Sequence, residues 1–382
     1  MHLLCDAIAF CYGPATVLKQ ILCNWRPRVQ SVTLAGTGTT LEYMRRYSTN
    51  RPLVDRILYL DTEDTEALQS QEGSWDVLLS VCNPTGFAAL QERARFRVYW
   101  DFLLWMRWEG GAPEFQADAY IIEMFPGCES ALERWRAEIR NPVLSPILVE
   151  WHEAKPTSAS GTVLINLGGQ RSKLTRPGDN TDYAKQMIAI LQEAALLVDH
   201  QGPFVVASDS QTAHYLDQQL HAKGWTFASF SHEEFLAQIR AAERFITHPG
   251  LYSPFEGFGL ERPVYFLPSS NYTQVLQLGD FRRLGLAPRS IDWVDLVGEE
   301  VPFGLEEPEG VRRVLALIES INEGSVRQRL IATFAAWLKE DLGMANELAA
   351  EQHTLARPFY GDYSAVLDAV AETALANIKA AR

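Results

Sequence analysis

A chain of 382 residues is long for one hydrophobic core and comfortable for two, and 47% hydrophobic against 21% charged residues marks a globular protein rather than a disordered one. The formal net charge of −14 excludes a general nucleic-acid binder, which needs clustered Lys and Arg to displace counterions from phosphates. No run approaches the ~18 apolar residues that a membrane-spanning helix requires.

The opening stretch MHLLCDAIAFCYGPA lacks a basic n-region and carries Asp6, so it reads as a buried first strand, not a signal sequence. The cysteines (Cys5, Cys11, Cys23, Cys82 and Cys128) form no C-x-x-C pair and are odd in number. They read as small buried hydrophobes in a reducing cytoplasm.

In chain order, His2–Phe10 is predicted as a strand, 11–15 as a turn and Thr16–Trp25 as a helix. Ser31–Ala35 is a second strand, followed by a Gly36–Thr39 loop and a helix from Thr40. Arg56–Leu60, Trp75–Val81 and Arg97–Trp100 continue the series, and Ala119–Met124 closes it. Short apolar runs separated by helices argue for a parallel sheet covered on both faces, a doubly wound Rossmann-like domain. Pro142, Pro146, Pro156 and the small polar run Thr157–Gly161 then mark a linker over 141–161. A second α/β series follows: Thr162–Leu167, Phe204–Ala207, Thr226–Phe230, Arg244–Thr247 and Pro263–Leu267. Helices over Val311–Asn322, Ser325–Leu342 and Ser364–Ala380 complete the chain. The expected fold class is therefore α/β, with two Rossmann-like domains facing across a cleft in which ligands tend to sit.

The run from His248 to Glu256, HPGLYSPFE, follows a predicted strand and opens a helix near Ser253, with Pro254 in its first turn. Free N–H groups and a partial positive charge at a helix start suit a diphosphate, and Gly250 lets the backbone come close to it. Ser253 can donate a hydroxyl hydrogen bond, His248 can reach a phosphate oxygen, and Glu256 can accept from the two hydroxyls of a ribose.

These residues resemble the H-x-G-x-x-[ST]-x-x-E segment of GT-B glycosyltransferases that use nucleotide-diphosphate sugars, the natural-product and peptidoglycan-precursor enzymes among them. The likeness runs over about thirty contiguous residues, through Gly257–Pro263, the apolar strand Val264–Leu267, Pro268 and the loop Ser269–Gln274. It implies a GT-B fold with an acceptor domain over 1–150, a donor domain over 157–350, and a C-terminal helix within 361–382 that packs back on the first domain. It implies a donor site that includes Tyr252, Thr273 and Gln274. Gly168 and Gly169, after the strand Val163–Leu167, would face the diphosphate or donor sugar. Phe230 and Ser231, about eighteen residues before His248, would border the nucleobase.

Three positions depart from the family pattern. Pro249 replaces a glycine, Thr273 stands where many relatives have Asp or Glu, and the loop Phe10–Ala15 has no His where inverting relatives carry a general base. Asp101, at the end of the strand Arg97–Trp100, is the expected replacement on the cleft rim, with Tyr12 and Asp6 as alternatives. The aromatic run Tyr99–Trp108 reads either as core or as an apolar acceptor platform. The acidic run Asp61–Asp64 reads as a solvated loop, and the histidines lack ligand spacing, so neither a metal nor a cofactor is expected beside the nucleotide-diphosphate sugar (UDP-, dTDP- or GDP-linked). The expected activity is metal-independent sugar transfer to a small acceptor. A nucleotide-sugar epimerase, a pseudo-glycosyltransferase and a non-catalytic nucleotide-sugar-binding protein stay open as alternatives.

Overall fold

The computed structural model describes residues 1–47, 52–61, 64–70, 73–152, 161–168, 177–220 and 222–380. The chain divides into two compact units, Met1–Leu148 with Phe359–Arg382, and Val149–Pro358.

The first unit is built on a seven-stranded sheet in the order β3-β2-β1-β4-β5-β6-β7. Its strands are β1 (His2–Ala7), β2 (Ser31–Gly36), β3 (Arg56–Tyr59), β4 (Trp75–Val81), β5 (Ala94–Asp101), β6 (Ala119–Glu123) and β7 (Pro142–Ser145), all paired in parallel. The connecting helices are α1 (Gly13–Trp25), α2 (Gly38–Tyr47), α3 (Thr65–Gln69), α4 (Pro84–Leu90) and α5 (Cys128–Trp135). Every residue of β4 and β6 is buried, as a parallel sheet with helices on both faces requires.

The second unit holds a five-stranded parallel sheet in the order β10-β9-β8-β11-β12, made of β8 (Thr162–Asn166), β9 (Phe204–Ala207), β10 (Trp225–Ala228), β11 (Ala242–Thr247) and β12 (Val264–Phe266). Its helices are α6 (Pro177–Leu197), α7 (Ser210–Leu220), α8 (His232–Ala241), α9 (Ser253–Gly259), α10 (Tyr272–Arg283), α11 (Trp293–Val297), α12 (Glu307–Glu319), α13 (Gly324–Lys339) and α14 (Leu342–Ala356). The last helix, α15 (Tyr363–Ala380), belongs to the first unit, where Trp25 Nε1 donates to the Leu367 carbonyl at 3.0 Å and Arg28 pairs with Asp368 at 2.8 Å. Among the described residues no helix is long and apolar enough to cross a membrane.

Two readings of the sequence need correction. The first sheet does not close at Ala119–Met124, because β7 adds a further strand inside the expected linker. Pro142 hides it: a proline is excluded from central strands but tolerated at the first position of an edge strand, where its missing N–H breaks no ladder bond. The helix expected over Ser325–Leu342 instead ends at Lys339, and Asp341 caps a separate helix, α14, by accepting from the Met344 amide at 2.9 Å. The buried face of α14 carries Ala345, Ala349, Ala356 and Gln352 beside Leu348, so no large apolar stripe marks it. Gln352 serves the edge strand β12: its side-chain amide donates to the Val264 carbonyl and accepts from the Val264 amide, each at 2.9 Å. That pairing covers the Val264 end of the edge, and the 289–291 segment covers the other end by bonding to Phe266.

In the first unit the strand order reverses between β1 and β4, and Asp6 sits at this point, fully buried. Asn83 Nδ2 donates to Asp6 Oδ2 at 2.5 Å while Asn83 Oδ1 accepts from the Gly86 amide at 3.1 Å, capping α4. Gly86 is obligatory here, since a Cβ would stand 2.3 Å from Asp6 Oδ2. Burial pushes the Asp6 carboxyl up from 3.8 to about 7, against the lowering effect of its bonds with Ser80 and Asn83. The folded chain therefore holds a proton that the unfolded chain releases, and stability contributed by Asp6 is lost as pH rises from about 4 to about 7. Asp6→Asn should flatten that part of the curve. We expect its melting temperature to exceed that of the parent at pH 8 by several degrees, with the gap closing toward pH 4. Parallel curves in thermal melts across this range would show that Asp6 does not carry the proton.

Candidate functional site

In the second unit the strand order reverses between β8 and β11, and open parallel sheets bind ligands outside the carboxyl ends of the strands at such a point. Asn166, the last residue of β8, ties the two strand ends together. Its Nδ2 donates to Thr247 Oγ1 at 3.0 Å, and its Oδ1 accepts from the Gly168 amide at 3.0 Å. Sequence reading missed Asn166 because a polar residue ending an apolar run looks like an ordinary strand terminus.

His248 follows β11 directly and is 2% exposed. Burial pushes its imidazole down from 6.5 to about 3, opposed by a hydrogen bond with the Gly168 backbone, so the ring is neutral at ordinary pH. The chain then turns, with the Gly250 amide donating to the His248 carbonyl at 2.7 Å. Tyr252 is the N-cap residue of α9, and the Glu256 amide bonds to its carbonyl at 2.9 Å. Pro254 occupies the first turn, where a missing N–H removes no helical bond. Tyr252 and Ser253 are half-buried, and the Ser253 hydroxyl is engaged by no described residue.

Two glycines here do different work. A Cβ on Gly257 would stand 2.7 Å from Val264 Cγ2 and 2.9 Å from Phe245 Cδ1, so α9 lies against β11 and β12 at a distance only glycine permits. A Cβ on Gly250 would meet no protein atom within 4 Å. The first glycine sets how deep the helix sits, and the second leaves open space beside the loop that leads into it.

The loop after β12 is pinned from two sides. Tyr183 donates from its hydroxyl to the Pro268 carbonyl at 2.5 Å, and its ring lies 5.4 Å from that of His248. Trp293 Nε1 donates to the Ser269 carbonyl at 2.9 Å. Asn271 caps α10 by accepting from the Gln274 amide at 2.9 Å. Gln274 Oε1 accepts from both the amide and the hydroxyl of Ser270, at 2.8 and 3.0 Å, which fixes the rotation of the buried side-chain amide. Thr273, half-buried, lies beside it in the first turn of α10.

Phe230 is half-buried in the loop after β10. Ser231 caps α8 in a reciprocal box, its Oγ accepting from the Glu234 amide at 3.2 Å while Glu234 Oε2 accepts from the Ser231 amide at 2.7 Å. This loop reaches α9 through His232, whose Nε2 lies 2.6 Å from Glu256 Oε1. Direct contacts thus join Gly168 to His248 and bring Glu256 to the neighbour of Ser231. Gly169 lies outside the described residues.

Asp101 is not on a rim. It is 2% exposed, Oδ1 accepts from the Leu103 amide at 2.6 Å, and Oδ2 accepts from the Tyr120 hydroxyl. A buried carboxylate with both oxygens engaged anchors the turn after β5 and is badly placed to take an acceptor's proton. The aromatic run resolves in the same way. Tyr99, Trp100, Phe102 and Trp105 are buried, with Trp100 Nε1 bonded to Glu123 Oε2 at 2.9 Å and Trp105 Nε1 to the Phe102 carbonyl at 3.0 Å. Only Trp108 is exposed. Tyr12, in the loop after β1, donates from its hydroxyl to Glu42 Oε1 at 3.2 Å.

No protein-family model matches the chain, and no curated protein matches it in sequence. Solved structures match it in fold. LpCGTa in complex with UDP superposes with a TM-score of 0.57 at 11% identity, covering 97% of this chain and 99% of that one. UGT89C1 from Arabidopsis thaliana, complexed with quercetin, gives a TM-score of 0.51 at 14% identity, covering 92% and 99%. The same protein complexed with UDP gives 0.50. The chain has the fold of these proteins, the GT-B fold, with two α/β units each built on a parallel sheet.

The two glycines give separable expectations. Gly257→Ala overpacks the contact with Val264 and Phe245 and should cost about 1–3 kcal/mol in denaturant unfolding. Gly250→Ala should change stability by less than about 0.5 kcal/mol. Equal costs at the two positions would refute the packing assigned to α9.

Proposed function

We propose that the protein transfers a sugar from a nucleotide-diphosphate sugar, UDP-linked in the first instance, to a small-molecule acceptor, with no metal in the transfer step. The observation that carries this reading is the set of loops tied together at the β8–β11 reversal: the His248–Ser253 turn leads into a buried helix that presents Glu256, and Gly168 is bonded to His248. Its fold is that of proteins solved with UDP.

In this reading the ribose hydroxyls donate to Glu256, and the base lies beside Phe230 and Ser231. The diphosphate takes hydrogen bonds from backbone amides of the turn, from the Ser253 hydroxyl and from the neutral His248 ring. Gln274, with its carbonyl oxygen held by Ser270, offers its N–H groups to the donor sugar. Donors fixed in place stabilise a leaving diphosphate without reorganising as its charge develops. The cysteine chemistry fits a reducing compartment such as the cytoplasm, since all five are free and Cys5, Cys82 and Cys128 are buried.

A second reading, nucleotide-sugar binding without transfer, is favoured by one observation: Asp101 is committed to the turn after β5, and the Phe10–Ala15 loop has no His. Incubation with UDP-sugars separates the two. Release of UDP, by slow hydrolysis or on addition of phenolic acceptors, is the outcome expected of a transferase, and binding without release is that of the second reading. Glu256→Ala should weaken UDP binding at least tenfold by calorimetry, the worth of a hydrogen bond to a charged group. Unchanged affinity would remove the site assignment itself.

A further inference from the structure

The contact between His232 and Glu256 has no place in the scheme so far. Glu256 is buried in α9, and one of its oxygens, Oε1, lies 2.6 Å from His232 Nε2. At that distance from a carboxylate the ring nitrogen carries the proton and donates it. The other oxygen, Oε2, accepts from no described residue. His232 is itself held in place. It is the first residue of α8, directly after the reciprocal Ser231–Glu234 cap that fixes the start of that helix. Its side chain keeps 26% exposure and that of Glu256 keeps 8%, so the pair lies at the edge of the buried region and not deep within it.

A glutamate has three rotatable side-chain bonds, and a ligand that must order it loses affinity by doing so. A histidine that already holds one oxygen removes this cost and leaves the second oxygen presented in a single direction. It also leaves that oxygen as an acceptor only, which suits a pair of hydroxyl donors and nothing anionic.

We infer that His232 is the positioning residue for nucleotide selection: by holding Glu256 Oε1 it presents Oε2 to the 2′- and 3′-hydroxyls, and so makes the site select ribonucleotide over 2′-deoxyribonucleotide donors. This rests on the nucleotide-diphosphate reading of the site, and it extends that reading by naming the donor class as ribose-containing, UDP or GDP type, and disfavouring dTDP type.

The test is calorimetric titration of the parent, His232→Ala, His232→Gln and Glu256→Ala with UDP and with 2′-deoxy-UDP, after thermal melts have identified the variants that fold. The parent should bind UDP about tenfold or more tighter than 2′-deoxy-UDP, the range of one hydrogen bond to a charged group. His232→Ala should bring that ratio to within about threefold by weakening UDP more than it weakens 2′-deoxy-UDP, which keeps only the 3′-hydroxyl bond. His232→Gln places an amide N–H near the position of Nε2 and should restore most of the ratio; it also serves as the informative variant if the alanine form does not fold. Equal weakening of both nucleotides by His232→Ala would mean that the contact merely supports the fold, and an unchanged ratio would mean that it orients nothing. Either result overturns the inference while the site stands, provided that the parent binds UDP and Glu256→Ala does not. Failure of the parent to bind UDP overturns the site and this inference together.

Discussion

Each sheet reverses its strand order once, and a parallel sheet can do so only by sending neighbouring strands into helices on opposite faces. The two loops that leave such a point diverge, and the carboxyl ends of the two strands are left with no connection above them. Both units bridge that gap with an asparagine side chain. In the first, Asn83 after β4 bonds to Asp6 of β1; in the second, Asn166 of β8 bonds to Thr247 of β11. The use made of the bridge differs. In the first unit Asp6 and Asn83 are buried and spent on the start of α4, so the point is filled by the protein's own groups. In the second unit the bridge joins the strand ends from which the Gly168 and His248 loops leave, and Asn166 also holds the Gly168 amide.

This difference explains which parts of the site were legible in the sequence. The loop after β11 carries His248, Gly250, Ser253 and Glu256 in one contiguous run, because a strand, a turn and the first turn of a helix are local structures with local residue preferences. Residues that act across loops leave no such trace. Asn166, Tyr183 and His232 are far from their partners in sequence, at separations of 81, 85 and 24 residues to Thr247, Pro268 and Glu256. Nothing in their neighbours distinguishes them from ordinary strand, helix and cap residues. Most strands were legible for a related reason, since a sheet buried on both faces writes each strand as an unbroken apolar run. The exceptions follow the same physics: β7 begins on a proline at an edge, and α14 packs through small residues and Gln352.

Asp101 shows the limit of arguing from position. A carboxylate at the carboxyl end of a parallel strand stands where ligands are usually bound, and the sequence gives no warning that Tyr120 on the neighbouring strand will reach it. The β5–β6 register sets Tyr99 directly against Tyr120, with the two rings stacked at 5.5 Å, so Tyr120 lies diagonally across from Asp101 and its hydroxyl falls on that carboxylate. The pairing of two adjacent strands, and not the identity of the acid, decided its role.

The protonation state of His248 constrains the chemistry in a way its residue type does not. In the proposed reading His248 stands beside a diphosphate, which invites the assumption of a positive charge, but burial outweighs the opposing Gly168 hydrogen bond and holds this ring neutral far below neutral pH. Charging it would require desolvation of the cation within a buried site that also holds the Tyr183 ring, 5.4 Å away. A neutral donor contributes direction rather than charge, so the proposed diphosphate would be met by oriented N–H and O–H groups from a rigid frame. Rigidity is what this frame supplies: Gly257 seats α9 directly on β11 and β12, the Asn166 bridge fixes two loops, and Tyr183 and Trp293 fix a third. Such donors cost no reorganisation when charge develops on a leaving group, so in the proposed transfer a frame that looks like structural overhead in the resting protein would itself be the catalytic contribution of this unit.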